Sequence, residues 1–164
     1  MKIKYAILVI ALFFLTKGCY AEITGTVVDA DTGKPIEGAV ILVEWTKTKG
    51  LPGMSYTKPY DISETVSEKN GSFSIKKILD PLVNPPRVTI YKKGYVAWNN
   101  ELVFPGWVKR EKFSLVDGMV IRLESFRKEY SRTDHVYFLH SITHWGKMIN
   151  EAYRWEELEK ELEK

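Results

Sequence analysis

Residues Ile23 to Val43, ITGTVVDADTGKPIEGAVILV, limit what this chain can fold into more than any other stretch, because they read as two β-strands joined by one specified turn. Ile23 and Val27 alternate with Thr24 and Thr26 at a period of two, and Val40, Ile41, Leu42 and Val43 form a denser apolar run. Between them, Asp29-Ala30-Asp31-Thr32-Gly33-Lys34-Pro35 concentrates turn formers: Gly33 accepts positive φ, Pro35 fixes φ, and short Asp side chains bond nearby amides. The unit builds sheet. Nothing in it is arranged to react.

The rest of the first two thirds continues in the same way. Ile62 to Ser67 and Ser72 to Ile78 flank Lys69-Asn70-Gly71, and Asn-Gly is a strong short hairpin signal because both residues tolerate positive φ. Arg87 to Tyr91 alternates, Lys93-Gly94 turns the chain, and Tyr95 to Trp98 extends it. Leu102 to Phe104 and Lys112 to Leu115 are weaker strands, Asp117-Gly118 is a turn, and Met119 to Leu123 closes the series. Thr46 to Asp61 interrupts it, with Gly50, Pro52, Gly53 and Pro59 among polar residues, and is expected to be a long loop carrying Met54, Tyr56 and Tyr60. Short strands with no helical crossover between them describe a sandwich and not a parallel sheet.

The order of these motifs resembles carboxypeptidase regulatory-like domains, small transthyretin-like β-sandwiches found in many exported bacterial proteins. The residues that carry the resemblance are Gly25, Val27, Asp29, Thr32-Gly33, Pro35-Ile36, Gly38-Ala39 and Val43, then Thr65-Val66 with Glu68 to Ile75, then Lys93-Gly94-Tyr95. It implies a mainly β fold over residues 22–125, an antiparallel β-sandwich of about seven strands (transthyretin/prealbumin-like). Such domains commonly act as accessory, binding or spacer modules, and the fold by itself fixes no activity.

Residues 1–21 have the layout of a secretory signal: a basic start, Met1-Lys2-Ile3-Lys4; an unbroken apolar run of eleven residues, Tyr5 to Leu15; and a short tail. The run is too short for a mature membrane helix, which needs roughly 20 apolar residues. Cleavage after Ala21, with Cys19 and Ala21 as the small residues read by signal peptidase, leaves Glu22 first. Leu15 to Cys19 also resembles a lipobox, although Leu15 lies one place too far upstream and Lys17 is unusual there. Cys19 is the candidate lipid attachment site, and the only membrane association expected is through that anchor. Either route places the chain outside the cytoplasm: periplasmic, secreted or an outer-membrane lipoprotein.

Cys19 is also the only cysteine, so the folded part has no internal disulfide and depends on its core. The chain carries 24 basic and 21 acidic residues; Lys2, Lys4 and Lys17 lie in the signal, which has no acid, and removing it leaves 21 of each. A neutral domain lacks the basic face that nucleic acid requires.

From residue 126 to 164 the pattern turns helical. Ser131 to Asp134 offers capping residues, and Val136, Leu139, Ile142, Trp145, Ile149, Ala152 and Tyr153 recur at three and four residues, followed by Trp155, Leu158 and Leu162 among many Glu and Lys. An amphipathic C-terminal α-helix is expected, broken or kinked near Gly146, packed on the sandwich in its first half and solvated in its tail.

All three histidines, His135, His140 and His144, fall here. His140 and His144 are four apart, a spacing that can hold zinc on a helix, but Ser141 stands where a zinc hydrolase carries Glu and no third ligand is fixed. Asp29, Asp31 and Asn70 lack the spacing of a calcium loop. No nucleophile elbow or Cys–His pairing is present, so no enzyme activity and no cofactor are expected. Two functions remain: an accessory module that binds a protein partner in the cell envelope, and a glycan-binding module whose candidate platform is Trp45, Trp98 and Trp107. If export is read correctly, mass spectrometry of the cell-derived protein finds Glu22 at its amino terminus or an acylated Cys19. An intact Met1 from a soluble cytoplasmic pool would refute it.

Overall fold

The computed structural model describes residues 22–111 and 113–162; the expected signal segment, with Cys19, lies outside the described residues. Nine strands follow in order: β1 (Glu22–Asp29), β2 (Val40–Leu51), β3 (Met54–Val66), β4 (Ser72–Lys76), β5 (Arg87–Tyr91), β6 (Trp98–Asn99), β7 (Leu102–Val103), β8 (Val108–Lys109) and β9 (Met119–Leu123). Two helices close the chain, α1 (Arg132–Ile142) and α2 (Lys147–Leu162). One sheet has the order β4-β1-β9 and a second β3-β2-β5-β6, while β7 and β8 pair with each other.

The dense run in β2 explains how these elements stack. Side chains alternate across a strand, so Ile41, Val43 and Trp45 face the first sheet with Val27, Phe73, Ile75, Val88, Ile90 and Ile121. Val40 and Leu42 face the other way and meet Tyr91, Phe138, Leu139, Ile142, Ile149 and Tyr153. β2 is therefore buried on both sides, between a sheet-on-sheet core and a sheet-on-helix core. That is why its apolar residues are consecutive.

The fold is the expected mainly β sandwich with helical structure at its C-terminal end. Three features differ from expectation. First, the Asp29 to Pro35 turn and the Asn70-Gly71 turn do not close hairpins within one sheet: each carries the chain from one sheet to the other, since β1 and β4 pair together while β2 and β3 pair together. A sequence turn specifies a reversal but not which sheet the next strand joins. Second, one pairing is parallel, β1 with β9. The Asp117-Gly118 turn fixes it: Asp117 Oδ1 accepts from Thr24 N at 2.8 Å and from Thr24 Oγ1 at 2.7 Å, and Gly118 N donates to Thr24 O at 3.0 Å.

Third, the expected loop from Thr46 to Asp61 is a β-hairpin. β2 and β3 pair from Val40↔Val66 to Leu51↔Met54, with one bulge between Trp45 and Thr46. Pro52 and Gly53 (φ 86°) occupy the two central turn positions, where a type II turn favours Pro and then a residue of positive φ. Both faces of this arm are wet beyond the bulge, so the apolar alternation that marks a half-buried strand is missing.

The C-terminal segment is two helices and not one. Ser131 caps α1, its Oγ accepting from Asp134 N at 3.1 Å, and Thr143 ends α1 with its N–H on the Leu139 carbonyl. The break includes Gly146, where an added Cβ would lie 2.7 Å from Ile149 Cγ2, 2.8 Å from Glu64 Oε1 and 2.9 Å from Leu42 Cδ1, so the backbone touches the sheet there. No helix of the described residues is long and apolar enough to cross a membrane.

Gly33 and Gly71 both have positive φ, 69° and 76°. A Cβ at Gly71 would collide with the Val27 carbonyl, whereas nothing lies within 4 Å of one at Gly33. Gly71→Ala should therefore destabilise by more than the roughly 1 kcal/mol that left-handed strain alone costs Gly33→Ala. Urea midpoints in the reverse order would show the turns to be wrongly described.

Candidate functional site

Polar groups beneath the helix pair set the chemistry of this face. His135 is fully buried, and Ala97 N donates to its Nε2 at 2.9 Å. An amide can only donate, so Nε2 is unprotonated and the proton sits on Nδ1, which donates to Glu156 Oε2 at 2.7 Å. The other oxygen, Glu156 Oε1, accepts from the Tyr91 hydroxyl at 2.7 Å, and that hydroxyl accepts from Trp155 Nε1 at 2.7 Å. Burial, and then the Glu156 charge, push the Tyr91 hydroxyl far above its ordinary range. Arg132 borders the network, 3.9 Å from Glu156 Oε2, and lies over the Phe126 and Trp155 rings. The polar side-chain atoms of His135, Glu156, Tyr91 and Trp155 are all hydrogen-bonded. The network ties α1, α2 and β5 together; Glu156, expected on a solvated tail, is 1% exposed.

Two further carboxylates reach up from the sheet. Glu64 on β3 accepts from Lys147 N and Met148 N through Oε2 (3.0 Å each) and from Ile149 N through Oε1 (2.9 Å), so the sheet supplies the cap and the negative charge for the first turn of α2. Glu44 on β2, 2% exposed, accepts from His144 N (3.2 Å) and Trp145 N (3.0 Å) through Oε1. Its Oε2 has no hydrogen-bond partner. Glu44 also lines a cavity of about 250 Å³, together with Thr57, Arg87, Glu101, His144 and Trp145, although Oε2 itself is covered. Arg87 spans the rim, ion-paired to Glu101 at 3.1 Å and 3.0 Å from His144 Nδ1. The pocket combines a buried carboxylate oxygen without a partner, a neutralised Arg–Glu pair and an aromatic wall.

The two zinc candidates are not brought together. α1 ends at Ile142, so His144 lies past it and faces Arg87, while His140 is exposed and bonds Glu157 Oε1 at 2.6 Å. Among the described residues no three His, Cys, Asp or Glu side chains are placed to hold a metal ion. Asp29 Oδ1 accepts from Thr32 N, Thr32 Oγ1 and Asp31 N, and Oδ2 from the Tyr95 hydroxyl; these bonds, Thr32's first, hold its carboxyl below the ordinary range. Asn70 Oδ1 caps its own turn at Ser72 N.

The three tryptophans differ in exposure. Trp45 is 3% exposed in the inter-sheet core and offers no ring to a sugar. Trp98 is half-buried between Phe113, edge-on at 5.1 Å, and the Arg110 guanidinium at 4.8 Å. Trp107 is 42% exposed, with φ 55°, and packs edge-on against Phe138.

Exposed apolar residues cluster instead on the arm: Leu51, Met54, Tyr56 and Tyr60. Leu51 pairs with Met54, Lys49 with Tyr56 and Lys47 with Lys58. Partners across an antiparallel pair share a face, and these positions alternate along both strands, so one face carries an apolar tip and a basic stem. Lys47 is held by Asp80 at 2.6 Å and lies over the Tyr60 ring. Lys49 and Lys58 make no ion pair among the described residues.

No family model matches the chain, and no curated protein matches it. Solved structures similar to it include the C-terminal domain of the shaft pilin SpaA from Lactobacillus rhamnosus GG, at 17% identity over 64% of this chain and 97% of that one, with a TM-score of 0.37. A streptococcal ancillary pilin is similar at 16% identity over 65% of this chain and 30% of that one, with a TM-score of 0.33. Likenesses this weak bear on neither site nor activity.

Glu156→Ala strands two buried neutral donors, His135 Nδ1–H and the Tyr91 hydroxyl, at about 1–3 kcal/mol each, and should cost about 2–6 kcal/mol. His140→Ala removes only a half-exposed pair and should cost under about 1 kcal/mol. Thermal denaturation of both variants checks the contrast; equal losses would mean that the buried network does not carry the docking.

Proposed function

We propose that this chain is an exported, non-enzymatic interaction module of the cell envelope, in the manner of the carboxypeptidase regulatory-like domains it resembles, and that it engages a protein partner through the β2–β3 arm. The observation that carries this reading is the arm's side-chain placement. Leu51 (73% exposed), Met54 (80%) and Tyr56 (62%) are displayed beside Lys49 and Lys58, on a ribbon whose other end is held in two cores. Apolar area of this kind on a rigid support marks a binding surface, and the free lysines specify an acidic partner.

A protein suits the arm better than a bilayer. β5 pairs with β2 only as far as Glu44, and past the bulge the β2 edge takes one more backbone bond, from Asn84 N to Thr46 O at 2.9 Å, so from there to the tip both outer edges of the two-stranded ribbon lack a neighbouring strand. Unpaired backbone groups are untenable in hydrocarbon but are tolerated in water and at a wet interface. Pro59 on the edge strand β3 has no N–H to give, which disfavours simple addition of a strand there. Side chains therefore make the contact.

The test is a photo-crosslinking residue placed at position 54 or 56 in intact cells of the protein's own source, with Val120, exposed on β9, as the control position. A discrete protein adduct is expected from 54 and 56, absent from 120, and lost in the Lys49→Glu, Lys58→Glu double variant. Adducts with lipid, adducts from all positions alike, or none at all would overturn the reading.

A further inference from the structure

We propose that the cavity beside Glu44 is a binding site for a primary alkylammonium group, with the free Oε2 of Glu44 as its charge partner. The proposal stands on the pocket and not on the arm.

The case begins with charge. Arg87 and Glu101 neutralise each other at 3.1 Å. An Arg87 nitrogen lies 3.0 Å from His144 Nδ1 and 3.3 Å from Nε2, so the guanidinium sits against the imidazole ring. The carboxylate left over is that of Glu44, a side chain 1% exposed whose Oε1 is taken by two amides and whose Oε2 has no hydrogen-bond partner, the His144 Nδ1 lying 3.9 Å away. A buried carboxylate oxygen without a donor is costly, and native structures normally satisfy it. Among the described residues no lysine or arginine lies within ion-pair distance of Oε2.

Geometry narrows which cation fits. A divalent metal wants several oxygens or nitrogens at once, and no such group of three occurs among the described residues. A guanidinium is recognised by both oxygens of a carboxylate in a fork, and Glu44 has only one to offer. An ammonium is a compact charge with three donors, matched by Glu44 Oε2, the half-exposed Glu101 carboxylate and the Thr57 hydroxyl, from three residues that line the cavity. The Trp145 ring, on the same wall, suits both the charge and the methylene stem. Oε2 is covered, so a ligand has to displace a neighbour to reach it, and His144, with its side chain 40% exposed and Nδ1 3.9 Å from Oε2, is the one placed to yield.

An alkylammonium reaches such a site as a free amine or as the end of a lysine side chain. Both are tested by titrating the full chain with n-butylammonium and with Nα-acetyl-lysine methylamide while following the Trp145 indole and the His144 and Trp145 amides by ¹H–¹⁵N NMR. Nα-acetyl-norleucine methylamide, which lacks the charge, and butylguanidinium are the controls. Saturable shifts are expected with the two amines and not with the controls. Tighter binding of the lysine derivative assigns the natural ligand to a polypeptide; equal or tighter binding of butylammonium assigns it to a free amine.

Glu44→Gln keeps an acceptor for the two amides but loses the charge, and should weaken binding roughly tenfold or more. Should that variant fail to fold, Glu101→Gln at the rim, where no docking bond is lost, should weaken it severalfold. Absence of saturation with either amine, equal shifts with norleucine, or unchanged affinity in the variants that fold would overturn the proposal. Arm substitutions at Leu51 and Tyr56 leave these titrations unchanged, so failure here and failure of the arm reading are separable.

Discussion

Three carboxylates, Glu44, Glu64 and Glu156, lie where the helix pair meets the sheet, and each is occupied by donors that only this docking supplies. Taking a carboxylate out of water costs several kcal/mol unless hydrogen bonds replace the lost solvent. Hydrophobic burial draws α1 and α2 onto the second sheet but is not directional. The carboxylates are directional: Glu64 accepts only from the first turn of α2, Glu44 only from the linker before it, and Glu156 closes on His135 of α1 and Tyr91 of β5. Sliding the helix pair by one turn would leave Glu44 and Glu64 unsatisfied and part Glu156 from Tyr91. The apolar contacts supply much of the attraction, and the carboxylates choose the position.

The same strand serves the core and the arm. Up to Trp45, β2 is locked by side chains on both faces; after the bulge at Trp45/Thr46 its side chains go into water on both faces. A one-residue slip in the core would turn Ile41 and Val43 toward the helices and Leu42 toward the other sheet, so the register is strongly held. Continuous pairing then passes that register to the tip, aiming Leu51, Met54 and Tyr56 with little freedom in the ribbon. An interaction surface on such a ribbon loses less entropy on binding than one on a free loop.

What could be read beforehand followed how local each signal was. The run Val40 to Val43, the positive-φ glycines 33 and 71 and the Ser131 cap are decided within a few residues, and the structure has them as read. Pro52-Gly53 was equally local, yet the polar flanks hid the hairpin it closes. Partner choice is not local: nothing near Asn70-Gly71 distinguishes a turn within a sheet from one between sheets, and the parallel β1–β9 pair joins residues far apart in sequence. The His140/His144 reading assumed one continuous helix, and α1 stops at Ile142. His135 and Glu156 sit 21 residues apart on two helices, where only packing reveals the pair. Glu44 did leave a trace, an acid between Val43 and Trp45 in an otherwise apolar strand, where a charge is out of place unless something binds it.

That trace points to a division of labour within one side chain. Glu44 Oε1 holds the His144 and Trp145 amides, and so fixes the linker between the helices, while Oε2 has no hydrogen-bond partner and the residue lines the cavity. The two oxygens share one delocalised charge, so a cation at Oε2 competes with the two amides at Oε1 for it. His144 contributes its backbone to the first set of bonds and its ring to the cavity wall, which makes the coupling mechanical as well as electrostatic. Occupancy of the pocket and seating of the amino-terminal end of α2 are thus linked through a single residue, and linkage of this kind is reciprocal: whatever loosens α2 from Glu64 also changes the affinity of the pocket.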